Sequence, residues 1–416
     1  MIYNIKAPNV LNTSILLPSS KSISNRVLIL NALCTNPEKI YNLSVCDDTE
    51  VVINTLHEKK SNINIGAAGT AMRFLTAYLS SQKGSFFITG TERMKNRPIK
   101  ILVEALRSAG ACIKYTEKEG YPPLQIEGQS LIGGDISLNG EVSSQYISAL
   151  LMIAPLMTNG LRLHISGEII SRPYINITIQ LMRRFGVVVF EDERSFTIPP
   201  QQYSAVKDFT VESDWSAASY WYEIIALCKN DNSTVSLQGL LPDSLQGDAS
   251  IVKLFDKLGV RTTFSSSGIT LSKKPPEVDR VLTLDFVSIP DMAQTIAVTC
   301  IMLNIPFRFT GLQSLVIKET DRLNALKIEL RKLGYLLEIN NGNSLVWNGE
   351  RCKEDTSPVI ETYKDHRMAL CFAPVSLCRE GGICIANPEV VSKSYPSYWD
   401  NLKKADFVIE KSENND

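Results

Sequence analysis

The sequence predicts a mixed α/β (α+β) protein of two lobes, each assembled from three copies of one compact subdomain. Two periodic phrases carry that prediction. In the first, an amphipathic helix ends at a glycine and runs into an apolar strand. ILVEALRSAGACIKY, ITIQLMRRFGVVVF, IVKLFDKLGVRTTF and LNALKIELRKLGYLLEI place these glycines at Gly110, Gly186, Gly259 and Gly334, at intervals of 76, 73 and 75 residues. Weaker copies without the glycine lie at Val51–Ile65 and Tyr398–Ile409, which makes six. In the second phrase an apolar helix with hardly any polar face, as expected of one buried all round, precedes each copy. These helices are Ile23–Leu33, Ala71–Ser80, Tyr146–Met157, Ala217–Cys228, Met292–Leu303 and Met368–Cys378, with starts 48, 75, 71, 75 and 76 residues apart. Each unit therefore reads as buried helix, strands, surface helix, strand. The period is too long for a solenoid repeat and fits duplication of an α/β subdomain.

Composition narrows the function. At 416 residues, 44% hydrophobic and 21% charged, the chain can build two or three cores of ordinary size. A net charge of −1 offers no general attraction to nucleic acid or a membrane surface, so any anion site must arise from local clustering. The most apolar stretch, Tyr146–Met157, is too short to span a bilayer and contains Pro155. The opening MIYNIKAPNV lacks the apolar core of a signal peptide, so a cytoplasmic location is expected. Nine cysteines form no C-x-x-C pair, and Cys34, Cys228, Cys300 and Cys371 fall in apolar runs, which predicts buried thiols. With three histidines and no ligand spacing, neither a metal nor a cofactor is expected.

The starts of the six apolar helices are where chemistry concentrates. A helix buried all round still presents free N–H groups and a partial positive charge at its N-terminus, which must meet water, a cap or an anion. The six starts read Ser19-Ser20-Lys21-Ser22, Gly66-Ala67-Ala68-Gly69-Thr70, Val142-Ser143-Ser144-Gln145, Asp214-Trp215-Ser216, Pro290-Asp291 and Asp365-His366-Arg367. Serines and aspartates are ordinary N-caps, and each cation alone could be a snorkelling rim residue. The coincidence is what argues. Lys21, Arg26, Arg73, Arg93, Arg172, Lys318, Arg322, Arg367 and Lys393 all fall at helix starts or in adjoining loops. Two such faces opposed across a cleft would hold phosphates and carboxylates, with Asp214, Asp291 and Glu319 left for proton transfer. In SLVIKETDRL, Thr320 can act as N-cap, which puts Arg322 in the first turn against the helix dipole; an anionic ligand would account for it. Neither a phosphate-binding G-x-x-x-x-G-K-[ST] nor a dinucleotide G-x-G-x-x-G is present.

Pro18–Arg26 (PSSKSISNR), Gly66–Arg73 (GAAGTAMR), Arg93–Pro98 (RMKNRP), Val142–Gln145 (VSSQ), Ser171–Tyr174 (SRPY), Ile317–Arg322 (IKETDR), Asp365–Met368 (DHRM) and Lys393–Pro396 (KSYP) together closely resemble the EPSP synthase family. The resemblance runs from about Lys6 to Leu402. It implies a two-lobed enolpyruvyl transferase fold, each lobe three βαβαββ units in an inside-out α/β barrel. Guided partly by it, one lobe is expected at 19–211, facing shikimate 3-phosphate. The other is expected to combine 1–18 with 212–416, its leading strand Ile2–Leu17 pairing with the far lobe, and to carry the phosphoenolpyruvate side and the catalytic carboxylates.

The implied reaction moves the enolpyruvyl group of phosphoenolpyruvate to the 5-hydroxyl of shikimate 3-phosphate and releases phosphate. Carried over residue by residue, the shikimate-phosphate ligands would be Lys21, Ser22, Arg26, Ser143, Ser144, Gln145, Ser171, Tyr174, Asp291, Ser314 and Lys318. Those of phosphoenolpyruvate would be Lys21, Gly69, Arg93, Gln145, Arg322, Arg367 and Lys393. Lys21, Asp291, Lys318, Glu319 and His366 form the implied catalytic set, Glu319 donating a proton to the methylene and Asp291 with Lys318 relaying the hydroxyl proton. The partners expected are these two small molecules, with no nucleic acid, no membrane and a monomeric chain.

Three positions depart from the family pattern: Ala67 for the usual Asn, Phe74 for Pro, and Ser314 for Asn. Gly69 is expected to leave room for the inhibitor glyphosate beside phosphoenolpyruvate. The nearest alternative is the sister transferase acting on UDP-N-acetylglucosamine, which carries Lys-Asn where this chain has Lys21-Ser22 and a cysteine in the loop corresponding to Thr91–Arg97. A non-catalytic polyanion-binding scaffold would need the cations but not Glu319 and Asp291.

Overall fold

Strand pairing sets the architecture. In a computed structural model that describes residues 1–58, 60–278 and 280–412, five four-stranded sheets share one plan. Lys59, inside the expected Val51–Ile65 copy, and 413–416, at the end of the expected second lobe, lie outside the described residues. In Asn62–Asn64, Gly84–Thr89, Leu124–Gly128 and Cys112–Tyr115, the first two strands run parallel and the rest antiparallel. The parallel pair demands a crossover, supplied by the buried helix Gly69–Ser80. The surface helix Lys100–Ser108 then leads into the closing hairpin. Gly134–Asn139 with Leu161–Ser166, and Leu282–Asp285 with Phe307–Thr310, begin two further sheets in the same way.

The chain forms two compact units, Ser19–Val211 and a unit that joins Met1–Pro18 to Glu212–Asp416. In the latter, the two strands at the chain start have separate partners. Ile2–Lys6 lies antiparallel between Ile383–Ala386 and Val408–Ser412, the place of a fourth strand in its repeat. Asn12–Leu16 runs parallel to Thr234–Gln238, the place of a first strand. Ser19–Val211 holds two complete four-stranded repeats and a reduced third. There, among the described residues, the helices Lys21–Ala32 and Asp47–Glu58 are accompanied by no four-stranded sheet, and Tyr41 forms an isolated parallel bridge to Thr210. In the segment between those helices, CTNPEKIYNLSVC, Tyr41, Leu43 and Val45 alternate with Asn42 and Ser44, yet Tyr41 and Val45 are exposed and Ser44 is buried, so the alternation supplies no core face to hold a longer strand.

Both helix phrases are present. Four surface helices stop where Gly110, Gly186, Gly259 and Gly334 take φ of 99°, 83°, 94° and 88°, a left-handed C-terminal conformation that glycine adopts at no steric cost. After Tyr398–Lys404, in a copy without glycine, Asp406 takes φ 63° in that role. The apolar helices are Lys21–Ala32, Gly69–Ser80, Ser144–Ile153, Trp215–Leu227, Ala293–Met302 and His366–Phe372. Pro155 and Pro374 fall where the third and sixth pass into 3-10 turns, because proline cannot donate to the α ladder. Cys34, Cys228, Cys300 and Cys371 are buried and free. No helix of the described chain is long and apolar enough to cross a membrane.

One buried group runs against this apolar pattern. Glu223, in the middle of Trp215–Leu227, is fully buried, and neither carboxyl oxygen has a hydrogen-bond partner among the described residues. Burial pushes its pKa well up, and Thr299, whose hydroxyl donates to Thr295 O at 2.7 Å, only partly offsets this. The folded chain therefore keeps a proton that the unfolded chain releases above about pH 4.3, and stability falls as pH rises beyond that value. Glu223→Met is expected to raise the melting temperature by roughly 2–8 °C at pH 8 and by less at pH 4.5. Equal gains at the two pH values in thermal melts would show that the carboxyl titrates alike in both states.

Candidate functional site

The helix starts are finished in three different ways. Serine caps two: Ser20 Oγ accepts from Ile23 N at 3.4 Å, and Ser143 Oγ from Gln145 N at 3.3 Å. Aspartate caps two more. Asp214 accepts from the Ser216 and Ala217 amides at 2.7 and 3.2 Å, and Asp365 from the Arg367 amide at 3.0 Å. Around Asp214, Gln246 Oε1 accepts the Trp215 amide at 3.1 Å, and Ser216 Oγ donates to the buried Asp248. Burial raises the Asp248 carboxyl to about 6, against the Ser216 hydrogen bond and the Arg367 charge. These caps already supply acceptors at the positive ends of the two helices. The helix at Gly69 has no side-chain cap at Ala68, and Ala293–Met302 has none at Met292.

In the Ser19–Val211 unit, the uncapped start of Gly69–Ser80 gathers guanidinium groups. Arg73 Nη1 donates to Gly69 O at 2.9 Å, and a Cβ built on Gly69 would lie 2.5 Å from Arg97 Nη1 and 3.0 Å from Arg73 Nη1. Arg97, the second arginine of RMKNRP, which the sequence reading passed over, is thus the one against Gly69. The room expected beside Gly69 is taken by that guanidinium, so a methyl there must displace Arg97. Gln145 Nε2 donates to Thr70 Oγ1 at 3.1 Å, which brings the start of Ser144–Ile153 to the same place. Two guanidiniums therefore stand at a helix start that no side chain caps, an arrangement whose chemistry suits a phosphate or carboxylate.

Lys21 stands at the start of its helix with Nζ 3.5 Å from Asp48 Oδ2. Arg26, one turn on, is buried and donates to Thr178 Oγ1, Ser22 O, Ser148 Oγ and Tyr174 O at 2.7, 2.8, 3.3 and 3.1 Å. All four acceptors are neutral, and burial pulls its pKa down to about 10. Phe74 compensates in part, since the Arg26 guanidinium lies 5.2 Å from its ring centroid, a contact proline could not offer. Ser171 begins Arg172–Arg184 at φ 58°, and a left-handed serine is a strained conformation of the sort found at ligand sites.

In the other unit, the second cluster is an ion network on Arg322. The helix is Arg322–Lys332, and Asp321 caps it by accepting from Asn324 N at 3.2 Å, so the cap is one residue later than Thr320. Arg322 is buried, with Nε 2.7 Å from Asp365 Oδ2, Nη1 2.7 Å from Asp291 Oδ1 and Nη2 2.8 Å from Glu319 Oε2. Its position against the helix dipole is thus explained by three protein carboxylates. Lys318 Nζ is 3.4 Å and Arg367 Nη2 3.6 Å from Asp291. Burial alone would raise the Asp291 carboxyl, but Lys318, Arg367 and Arg322 hold it well below the usual carboxylate range. Burial likewise disfavours the charged Arg322, yet Asp365, Glu319 and Asp291 keep its pKa above the ordinary arginine value.

Neighbouring side chains complete this cluster. Arg367 Nη1 also donates to Asp291 O at 3.2 Å and to Tyr220 OH at 3.4 Å. His366 is buried with Nδ1 3.7 Å from Asp365 Oδ1. Lys393 Nζ donates to Lys364 O at 2.8 Å. Ser314 Oγ is buried and has no protein partner among the described residues, which leaves it for a ligand. Asp365 and Asp248 are site carboxylates the sequence reading did not assign. Asp365 was visible in DHRM as a residue type that caps helices, but nothing local marks it as a partner of Arg322, 43 positions earlier.

Comparison with known proteins identifies the family and the fold. The family model described as EPSP synthase (3-phosphoshikimate 1-carboxyvinyltransferase) matches residues 5–63 and 53–402. A protein of Bacteroides fragilis named 3-phosphoshikimate 1-carboxyvinyltransferase is 55% identical over 414 residues, covering 99% of this chain and 100% of that protein. EPSP synthase from Acinetobacter baumannii superposes with a TM-score of 0.74 at 20% identity, covering 99% of this chain and 100% of that one. The enolpyruvyl transferase NikO from Streptomyces tendae does so at 0.75 and 14% identity, covering 99% and 98%; these two likenesses establish the fold. On the family match and the full-length relative, the chain belongs to the EPSP synthase (3-phosphoshikimate 1-carboxyvinyltransferase) family.

Proposed function

We propose that this chain transfers the enolpyruvyl group of phosphoenolpyruvate to the 5-hydroxyl of shikimate 3-phosphate, forming 5-enolpyruvylshikimate 3-phosphate and phosphate. The observation that carries the reading is the Arg322 network, in which an ionised aspartate, a glutamate, a lysine and two guanidiniums meet within hydrogen-bond reach. Such a cluster suits a reaction that moves protons beside two anionic substrates and binds a carboxylate and a phosphate in fork geometry. Both substrates are small molecules, and the chain is taken to work as a cytoplasmic monomer.

Lys21, Ser22, Arg26, Ser143, Ser144, Gln145, Ser171, Tyr174 and Ser314 would hold shikimate 3-phosphate. Arg26 acts mainly through position, since its donors already fix Tyr174 and the first turn of its own helix. Lys21, Gly69, Arg93, Gln145, Arg322, Arg367 and Lys393 would hold phosphoenolpyruvate, with Arg97 added beside Gly69. Asp291, kept ionised by three cations, is a weak base; it would take the hydroxyl proton as the new C–O bond makes that oxygen acidic, with Lys318 steadying the developing charge, and hand the proton to the departing phosphate. When the substrate anion takes a share of Arg322, Glu319 loses counter-charge, which favours its protonated form and its use as proton donor to the methylene. Phosphate departs as the added proton is returned.

The rival transferase acting on UDP-N-acetylglucosamine is disfavoured by Ser22 after Lys21 and by the absence of cysteine from Thr91–Arg97. Phosphate release with phosphoenolpyruvate plus shikimate 3-phosphate, and its absence when UDP-N-acetylglucosamine replaces the latter, is the expected result. Release with the sugar nucleotide alone would overturn the assignment, and release with neither would favour a binding scaffold.

A further inference from the structure

Glu329 lies two turns beyond Arg322 on the same helix, fully buried and outside the ion network described above. Its carboxylate is held by a short strap, residues 359–364, that leads into the cap residue Asp365. Tyr363 OH donates to Oε1 at 2.6 Å, the Glu361 amide donates to Oε2 at 3.0 Å, and Lys332 Nζ pairs with Oε2 at 2.7 Å. Lys332 also donates to Val359 O at 2.9 Å, so the strap is gripped at both ends. At its end, Tyr363 and Lys364 are consecutive left-handed residues, φ 52° and 57°, and neither is glycine. Two such residues in a row are strained, and they persist only where surrounding contacts over-determine them. What the turn delivers is specific: Lys364 O receives Lys393 Nζ at 2.8 Å, and Asp365 follows directly to chelate Arg322 and cap the helix bearing Arg367.

We propose that Glu329 is a positioning residue for the anion-binding cations of this unit, acting through the strained Tyr363–Lys364 turn on Lys393, Asp365 and hence Arg322. One helix thus holds the strap through Lys332 at its beginning and Glu329 towards its end, and holds the following Asp365 through Arg322. The inference rests on the reading of Arg322, Arg367 and Lys393 as phosphoenolpyruvate ligands. It predicts that loosening the strap harms one substrate selectively.

The test compares Glu329→Gln with Tyr363→Phe, which removes a single oxygen and keeps the ring. KM for phosphoenolpyruvate is expected to rise about tenfold in the first and about threefold in the second, with KM for shikimate 3-phosphate within about twofold of the parent. A role confined to stability would lower the melting temperature and leave both constants alone. Amide exchange of Arg367, whose N–H the cap holds, is expected to quicken in both variants under conditions where each remains folded. Unchanged KM for phosphoenolpyruvate, an equal rise in both constants, or unchanged Arg367 protection would overturn the proposal. Absence of turnover in the parent protein would instead overturn the reaction assignment, and the exchange measurement would then decide the role of Glu329 by itself.

Discussion

Arg322→Met is expected to lower the melting temperature at pH 7.5 by roughly 6–20 °C, the equivalent of about 3–5 kcal/mol for removing one partner of a buried ion network. The reason is what remains. Asp365, Asp291 and Glu319 converge on the guanidinium at 2.7, 2.7 and 2.8 Å, and an apolar side chain would leave these carboxylates crowded together with less counter-charge. The pH dependence follows from the sign of the Asp291 shift. Its folded pKa is depressed, so its contribution is present above the unfolded value near 3.9 and is lost as pH falls through the folded value. Without Arg322 that depression shrinks, and mutual repulsion favours proton uptake by the cluster as pH falls. The deficit of the variant should accordingly be smaller at pH 5.5 than at pH 7.5. Thermal melts at the two pH values check this, and a melting temperature equal to that of the parent would mean that the network adds nothing to stability.

The same network marks the boundary of what was legible in the sequence. The periodic features were legible because they are local: glycines at helix ends, apolar faces and cap residues report on the few residues around them. The stretch at Ile317–Arg322 could be seen to put Arg322 in a first turn, yet its partners could not, since Asp291 and Asp365 come from loops 31 and 43 positions away. The three carboxylates already supply counter-charge to Arg322, so the anion the sequence suggested there would share the guanidinium with them. Arg97 was missed for a related reason. RMKNRP offers two arginines, and the short helix Glu92–Lys95, closed at Asn96, decides which reaches Gly69; no periodicity can be read from four residues. The reduced repeat at the start of Ser19–Val211 was hidden because its two helices are normal and only its sheet is missing. Phe74, noted only as a departure, gains its meaning from a buried guanidinium 48 positions earlier.

Glu319→Gln is expected to lower kcat by about 10²–10⁴, the range for losing a positioned proton-transfer group, while leaving the affinity for both substrates within about threefold. Glutamine keeps the shape and can still offer an oxygen to Arg322 Nη2, now 2.8 Å from Glu319 Oε2, so the scaffold of the cluster should survive. What it cannot do is carry a proton to the methylene carbon and take one back. Asp291 is an unsuitable substitute, because Lys318, Arg367 and Arg322 hold it ionised and hence a poor donor. Single-turnover phosphate release, with shikimate 3-phosphate binding measured in parallel, separates a chemical defect from a binding defect. Turnover at the parent rate would remove Glu319 from the proton path and direct attention to His366, whose Nδ1 lies 3.7 Å from Asp365 Oδ1.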